Sequence, residues 1–287
     1  MNLADEARSR GIEATVLGKD DDLLELARAA VRAGADCLGA AGGDGTLALV
    51  AEVAIESGLP FVCIPAGTRN HFALDLGLDR EDPLGALDAF GEAVERKIDV
   101  GDVSGHMFLN NVSIGAYGEI VANDAYRDNK VGTALLKLPE LIGPDAEPLD
   151  LRFSDGNGVE RSSALVIHVS NNSYVLTPRP GFGTRPSLCD GELGVAVVVG
   201  GVQGAPLKIE HWQAPTFSLT SAGPIAAGLD GEAMEFPSPL EFSIRRGVLR
   251  ARTALNAPGV SPAAKVPPLS VVTVRRLAAL SVGHVPA

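Results

Sequence analysis

Two short glycine-containing loops each follow a run of apolar residues and precede a predicted helix. The first glycine loop has the sequence Gly-Gly-Asp-Gly-Thr at residues 42–46, after a predicted buried strand over 35–41. The second glycine loop is Pro-Ala-Gly-Thr-Arg-Asn at residues 65–70, after a predicted strand over 61–64. Strands and helices that alternate in this order form a parallel sheet with crossover helices. The carboxyl ends of neighbouring strands border the ligand crevice of such a sheet, so we expect both loops at one site.

The rest of the N-terminal part continues the alternation. A strand is predicted over residues 14–17, and three aspartates at 20–22 favour the start of a helix that runs to Val31 and ends at Gly34. Further helices are predicted over residues 46–57, 70–76 and 83–94. We therefore predict an α/β domain over residues 1–96.

From about residue 97 the pattern changes to short strands separated by turns. The predicted strands cover residues 97–103, 107–114, 149–153, 164–170, 193–199, 217–220, 236–244 and 248–252. This spacing is typical of an antiparallel sandwich or barrel, which we place at residues 97–256. A helix is predicted within it over residues 126–142. Residues 257–287 read as a Pro-rich linker to residue 268 and a terminal strand or helix over 270–281.

The two glycine loops have the composition of a phosphate-binding site. Glycine lets backbone N–H groups approach phosphate oxygens, and a following helix N-terminus favours anions. Asp44 would repel a phosphate, so its presence is explained if it contacts Mg²⁺ or accepts a proton from an attacking hydroxyl. One such loop alone would read as a tight turn, but two on consecutive strands favour a phosphate site. The P-loop ending and the dinucleotide glycine spacing are both missing from the sequence.

Charge narrows the class of partner. The formal net charge is −12 at pH 7, which repels nucleic acid phosphates and argues against a DNA or RNA partner. From Phe242 onwards there is no Asp or Glu, but there are seven basic residues: Arg245, Arg246, Arg250, Arg252, Lys265, Arg275 and Arg276. These form either a solvated face or a patch for anionic lipid headgroups, which would give transient peripheral membrane contact.

Cysteine usage and hydropathy indicate the compartment. Cys37, Cys63 and Cys189 are far apart and odd in number, which predicts neither a disulfide framework nor a metal site. Residues 1–10 lack the apolar segment of a signal peptide, and the longest apolar run, 193–199, is too short to span a bilayer. We therefore expect a cytoplasmic protein, at most peripheral at the inner face of the membrane.

Further motifs follow the two glycine loops in order. They are Ile-Asp at residues 98–99, Phe-Leu-Asn-Asn and Ile-Gly within 108–115, a segment over 171–193 that ends in Asp-Gly-Glu-Leu, and Leu-Asp-Gly-Glu at 229–232. With the loops, these motifs resemble the diacylglycerol kinase catalytic family, which includes bacterial lipid kinases and sphingosine kinases and is related to NAD kinases. The resemblance covers most of residues 11–255.

The resemblance implies an NAD kinase-like parallel α/β nucleotide-binding domain, an antiparallel β-sandwich domain, and ATP in the cleft between them. It implies that the glycine loops hold the nucleotide through Gly42, Gly43, Gly45, Thr46, Gly67, Thr68 and Asn70. Asp44 and Asp99 match an acidic network near magnesium, and Asp190 matches a position near a further metal site. Asp230 matches the position of the catalytic base, and Asp44 is the alternative candidate for that role.

Three features depart from the family pattern. The family opens with a strand that ends in Asn-Pro, whereas this chain starts after that point, so the first strand and its nucleotide contacts are expected to be missing. His71 stands where the family commonly has aspartate, which makes it either a surface helix residue or part of a metal site that responds to pH near neutrality. Leu49 stands near the place of a family glutamate.

These motifs predict an ATP- and Mg²⁺-dependent kinase that transfers the γ-phosphate of ATP to the hydroxyl of diacylglycerol or a related lipid alcohol. Two alternatives stay open. One is a kinase for a soluble alcohol, and the other is a degenerate member that binds nucleotide or lipid without turnover. No motif identifies the lipid, because acyl-chain pockets are apolar and degenerate.

Overall fold

Helices alternate with strands before residue 90, and strands follow. The computed structural model describes residues 2–115, 149–162, 164–176, 183–199, 208–257 and 259–264. The helices in these ranges are α1 (Leu3–Ser9), α2 (Leu23–Arg32), α3 (Asp44–Ser57), α4 (His71–Asp75) and α5 (Pro83–Ala86), the last continued by a 3-10 turn (Leu87–Phe90). The strands are β1 (Leu38–Gly42), β2 (Phe61–Pro65), β3 (Ala93–Val103), β4 (His106–Phe108), β5 (Asn111–Gly115), β6 (Leu151–Ser154), β7 (Glu160–Arg161), β8 (Val166–Asn171), β9 (Leu193–Val199), β10 (Lys208–Ala214), β11 (Thr216–Ser221), β12 (Ile225–Leu229), β13 (Glu232–Phe236) and β14 (Leu240–Ala254).

Capping residues set the bounds of the two longest helices. The side chain of Asp22 accepts the N–H groups of Leu24 and Glu25 and starts α2. Gly43 starts α3, and Gly58 ends it in the left-handed region at φ 66°, where glycine has no Cβ penalty. The buried side of α3 packs on β1. α3 thereby serves as the crossover between β1 and β2.

The first sheet combines parallel and antiparallel strands. β1 runs parallel to β2 with Leu38 opposite Phe61, and β14 runs parallel to the other side of β2 with Ala251 opposite Phe61. The described strands follow the order β1-β2-β14-β11-β6-β7, with β3 antiparallel to β14 and β4 beside β3. The parallel order predicted from the sequence is therefore confirmed.

The second sheet is antiparallel and forms a sandwich with the antiparallel part of the first. Its described strands follow the order β10-β9-β8-β5-β12-β13. Alternate residues of both sheets point into one apolar core, including Phe108, Val112, Ile167, Val195 and Leu240, which are all at most 1% exposed. The predicted β-sandwich is thus confirmed beside the α/β layer.

The predicted strand over residues 14–17 is wrong. These residues lie outside the helices and strands and have no ladder partner among the described residues, and Val16 and Leu17 are 66% and 45% exposed. Strand propensity alone does not form a strand where no neighbouring strand is available to pair.

The predicted helix over residues 83–94 ends too late. Asp82 caps α5, whose first residue is Pro83, and the helical turns stop at Phe90. Val94 lies in β3, where it pairs with Thr253 of β14. The long-range ladder therefore outweighs the local helical pattern.

Several strand bounds also change. The predicted strand 236–244 is split between β13 and β14, because Pro237 and Pro239 interrupt the ladder. The predicted strand 248–252 is part of β14, which continues through an irregular register between Arg245 and Leu249. Residues 107–114 divide into β4 and β5, and β10 and β12 had no sequence prediction.

The division into domains stays a prediction. The boundary drawn between residues 96 and 97 lies inside β3, and β14 pairs with strands of both parts. The predictions over residues 126–142 and 270–281 lie outside the described residues, as does part of 257–268. None of the helices in the described ranges has the length and apolar character needed to cross a bilayer.

Candidate active site

The first glycine loop turns directly from the end of β1 into α3. A Cβ on Gly42 would lie 2.7 Å from the Cβ of Thr46, so glycine is needed for the threonine to fold back over the loop. Gly43 is the N-cap of α3, and no side chain caps this helix. The first N–H groups of a helix have no partner within it, so the start of α3 offers donors to an anion.

The second glycine loop packs against the first through its backbone. A Cβ on Gly67 would lie 2.3 Å from the Cα of Gly43. Oδ1 of Asn70 accepts the N–H of Gly67, and Nδ2 of Asn70 donates to the carbonyl of Gly67, both at 2.9 Å. Asn70 is 5% exposed and left-handed at φ 51°. Asn70 therefore fixes the shape of this loop, the N–H of Gly67 is already used, and Thr68 is exposed.

Asp44 joins the two loops. Its carboxylate accepts the N–H of His71 at 3.2 Å and the N–H of Phe72 at 3.1 Å. These are the first N–H groups of α4, so a carboxylate from one loop caps the helix that follows the other. Asp44 was predicted either to contact Mg²⁺ or to accept a proton, and capping α4 is a third role. It also occupies the start of α4, which the sequence pattern had left open to phosphate.

Asp230 lies in a two-residue turn between β12 and β13, in which Leu229 pairs with Glu232. Asp230 and Gly231 have φ values of 46° and 94°. Positive φ at both central residues is the signature of a type I′ hairpin turn, for which Asp-Gly is a preferred sequence. The turn holds the Asp230 carboxylate in one place, and we call residues 229–232 the Asp230 hairpin.

Three backbone N–H groups bind the Asp230 carboxylate. Oδ2 accepts the N–H of Leu109 at 2.7 Å, and Oδ1 accepts the N–H groups of Asn110 and Asn111 at 2.8 and 3.0 Å. Burial raises the pKa of Asp230 to about 6, although these hydrogen bonds lower it, and the charge of Asp44 adds to the rise. The charge of Asp44 acts on Asp230 because the Asp230 hairpin and the first glycine loop are neighbours.

Glu232 brings the two parts of the site into contact. A Cβ on Gly45 would lie 2.8 Å from Oε1 of Glu232. A carboxylate from the β-sandwich therefore reaches the first glycine loop. Glu232 belongs to the Leu-Asp-Gly-Glu motif at 229–232, from which no role was predicted for it. The signal that was available is its position two residues after Asp230, at the far side of a two-residue turn.

Asp99 and Asp190 both contact the segment around Asn172 and Gly191. Asp99 is 2% exposed, and its carboxylate accepts the N–H of Gly191 at 2.7 Å and the N–H of Gly247 at 2.8 Å. Asp190 is exposed and donates its N–H to Oδ1 of Asn172 at 2.9 Å. Among the residues that the structure describes, no three His, Cys, Asp or Glu side chains form a group that could hold a metal ion. The roles of Asp44 and Asp99 near magnesium and of Asp190 near a further metal site stay predictions.

Comparison with known proteins identifies the family. Residues 2–103 match the model of the diacylglycerol kinase catalytic domain. A Pseudomonas fluorescens (strain Pf0-1) protein described as "Probable lipid kinase YegS-like" is 30% identical over 266 residues, which cover 84% of this chain and 83% of that relative. The chain belongs to the diacylglycerol kinase catalytic domain family. A Pseudomonas aeruginosa family member with the same description is 29% identical over 288 residues, with 92% and 91% coverage.

A solved structure shares the family fold. A diacylglycerol kinase from Bacillus anthracis str. Sterne superposes with a TM-score of 0.62 at 16% identity, covering 89% of this chain and 92% of that one. At this identity the likeness concerns the fold, and it agrees with the α/β layer and β-sandwich described above.

His71, which departs from the family pattern, is half-buried at the start of α4. Burial lowers the pKa of its imidazole, against the nearby carboxylate of Asp44, which raises it. A lowered pKa favours the neutral imidazole at pH 7. His71 is thus a partly exposed residue in the first turn of α4, and its place in a metal site stays a prediction.

Basic residues of β14 mostly bind protein acceptors. Arg246 donates to the carbonyl of Gly191, Arg250 pairs with Glu95 at 2.7 Å, and Arg252 donates to a main-chain carbonyl. Of the seven basic residues in the acid-free C-terminal part, Lys265, Arg275 and Arg276 lie outside the described residues. Much of the described charge is thus engaged within the fold.

Proposed function

We propose that this chain is an ATP- and Mg²⁺-dependent lipid kinase that transfers the γ-phosphate of ATP to the hydroxyl of diacylglycerol or a related lipid alcohol. The observation that carries the proposal is the Asp230 carboxylate, which three N–H groups hold beside the first glycine loop. Phosphoryl transfer needs a positioned phosphate chain and a group that takes the hydroxyl proton, and these two features supply both. The printed names of the relatives, which are lipid kinases, support the choice of acceptor.

The nucleotide phosphates are assigned to the start of α3. Its uncapped N–H groups, the backbone of Gly42, Gly43 and Gly45, and the hydroxyls of Thr46 and Thr68 offer donors to phosphate oxygens. Gly67 and Asn70 contribute by keeping the second glycine loop in the shape that lets it pack on the first.

A magnesium ion fits these donors if it arrives with the nucleotide. Mg²⁺ keeps several waters and takes one or two carboxylates together with substrate phosphates, so it needs no preformed protein cluster. Asp44 is the carboxylate of the first glycine loop, and Glu232 reaches that loop from the Asp230 hairpin. When bound, the ion neutralises charge on the transferred phosphoryl group. Asp99 is assigned to the supporting acidic network, and Asp190 to a further metal site, where its exposure leaves the carboxylate accessible.

Asp230 is the favoured base. Burial raises the pKa of Asp230 to about 6, which suits a group that accepts a proton near neutral pH, whereas Asp44 is assigned to the magnesium ion. In the reaction the acceptor hydroxyl gives its proton to Asp230, its oxygen forms the bond to the γ-phosphorus, and the bond to the bridging oxygen of ADP breaks. ATP as donor places the reaction in the cytoplasm, with transient contact to the membrane that holds the lipid.

The test is incubation with γ-labelled ATP, Mg²⁺ and vesicles of mixed bacterial lipid, followed by organic extraction. The wild type should label the lipid phase, and Asp230→Asn should lower labelling by at least about a hundredfold, the range of general base catalysis. Asp150→Asn is the matched control, because Asp150 has a side chain 61% exposed in an ion pair with Arg152. Label confined to a water-soluble product would indicate a soluble acceptor. Bound ATP without any transfer would indicate a degenerate member.

A further inference from the structure

We propose that Arg185 is a positioning residue for Asp230 and acts through the turn at residues 109–111. The inference rests on the proposed function, in which Asp230 takes the proton of the acceptor hydroxyl. Arg185 lies between β8 and β9, and its side chain is 0% exposed. A buried charge is strongly disfavoured unless it is paired and hydrogen-bonded, so the partners of this guanidinium show what it holds in place.

One edge of the guanidinium binds Asp75, the last residue of α4. Nε of Arg185 donates to Oδ2 of Asp75 at 2.7 Å, and the backbone N–H of Arg185 donates to Oδ1 at 2.9 Å. The side chain of Asp75 is 1% exposed. Because Asp44 caps the other end of α4, this ion pair ties Arg185 to the nucleotide side of the site.

The other edge of the guanidinium binds the β-sandwich. Nη1 donates to the carbonyl of Leu109 at 2.6 Å and to the carbonyl of Asn171 at 2.8 Å, and Nη2 donates to Oδ1 of Asn110 at 2.8 Å. The ring of Tyr174 lies over the guanidinium, 5.2 Å from centroid to Cζ. One planar group therefore links α4, the turn at 109–111 and the end of β8.

The turn at residues 109–111 lies between two opposite charges. The carbonyl of Leu109 accepts from Arg185, and the N–H of the same peptide unit, on Asn110, donates to Asp230 at 2.8 Å. Hydrogen bonds in such a chain polarise one another, so each strengthens the next. Arg185 thus fixes the orientation of the peptide whose N–H, together with its two neighbours, holds the Asp230 carboxylate.

Lysine at position 185 tests this role. An ammonium group keeps the charge but has no planar fork, so it cannot satisfy Asp75, Leu109 and Asn110 together. We expect Arg185→Lys to lower kcat by about tenfold or more while the KM for ATP changes less than about twofold. The acid limb of the pH–rate profile should move to higher pH, because loosened N–H groups stabilise the Asp230 carboxylate less. Arg161→Lys is the matched control, since Arg161 pairs with the buried Asp155 at 2.6 Å in the same sandwich.

Two further measurements keep the inference testable if Arg185→Lys folds poorly or if lipid kinase activity is not found. The double variant Asp75→Leu/Arg185→Met replaces the buried pair with apolar side chains, a change that often preserves folding. Carbon-13 NMR titration of the Asp230 carboxyl needs no turnover. A titration midpoint at higher pH in either folded variant supports the inference even if the kinase proposal fails. A midpoint equal to that of the wild type, with only the thermal unfolding temperature reduced, would show a purely structural ion pair and overturn it.

Discussion

Lowering the pH from 8 to 5 should protonate Asp230 and remove the proposed base. Burial raises the pKa of this carboxyl to about 6, so the ionised fraction is about one half at pH 6 and about one tenth at pH 5. An aspartate in water, with a pKa near 3.9, would still be about nine-tenths ionised at pH 5. We therefore expect kcat/KM, which reports the pKa of the free enzyme, to be about one tenth of its plateau value at pH 5.

The effect on stability has the opposite sign. The folded pKa of Asp230 lies above the unfolded value, so the folded state binds the proton more tightly between about pH 4 and pH 6. The contribution of this group to folding is therefore present at low pH and lost as the pH rises through about 6. On acidification the activity should fall while the contribution of Asp230 to the free energy of unfolding rises. The opposite trends distinguish protonation of the base from acid unfolding of the protein.

The assay is kcat/KM for ATP in the presence of Mg²⁺ across pH 5 to 8, with circular dichroism at each pH to confirm folding. Glu235→Gln is the control, because Glu235 is an exposed carboxylate on β13, and it should keep the acid limb. The residual activity of Asp230→Asn should no longer decrease at low pH. A plateau that extends to pH 5, or a limb that persists in Asp230→Asn, would refute the assignment of Asp230.

Two other predictions concern the contacts of the glycine loops. Gly67→Ala places a Cβ 2.3 Å from the Cα of Gly43. We therefore expect urea unfolding to show a free energy of unfolding lower by about 1–3 kcal/mol, together with weaker ATP binding. Gly223→Ala is the control, because no atom lies within 4 Å of its added Cβ, and it should change the free energy of unfolding by less than about 0.5 kcal/mol. Equal stability of the two variants would contradict the loop packing. Glu232→Gln should raise the Mg²⁺ concentration for half-maximal activity, and Glu235→Gln should not; a magnesium titration of both variants decides this.

Local signals explain what the sequence predicted correctly. The β1–α3–β2 unit could be placed because its caps and apolar runs lie within a few residues of one another: Gly43 opens α3 and Gly58 closes it. The Asp230 turn could be predicted for the same reason, because the Asp-Gly sequence itself favours a two-residue hairpin turn.

Structural features that depend on residues distant in the sequence could not be predicted. β12 is rich in alanine and glycine and becomes a strand because β5 and β13 pair with it on both sides. The capping role of Asp44 depends on α4, 27 residues away, and the Arg185–Asp75 pair joins positions 110 residues apart. No pattern within one stretch of sequence reports contacts of this kind.

β14 has a consequence for how the chain can be made. β2 pairs with β1 on one side and with residues 251–252, near the end of β14, on the other. The second edge of β2 therefore stays unpaired until a segment almost two hundred residues further along the chain has been synthesised. Until then the emerging chain carries an unpaired apolar strand edge, which is a site for aggregation. Because β14 also pairs with β11, its arrival completes the α/β layer and the sandwich in one event. Translation that stops before residue 240 should therefore leave both layers unfinished and dependent on chaperones.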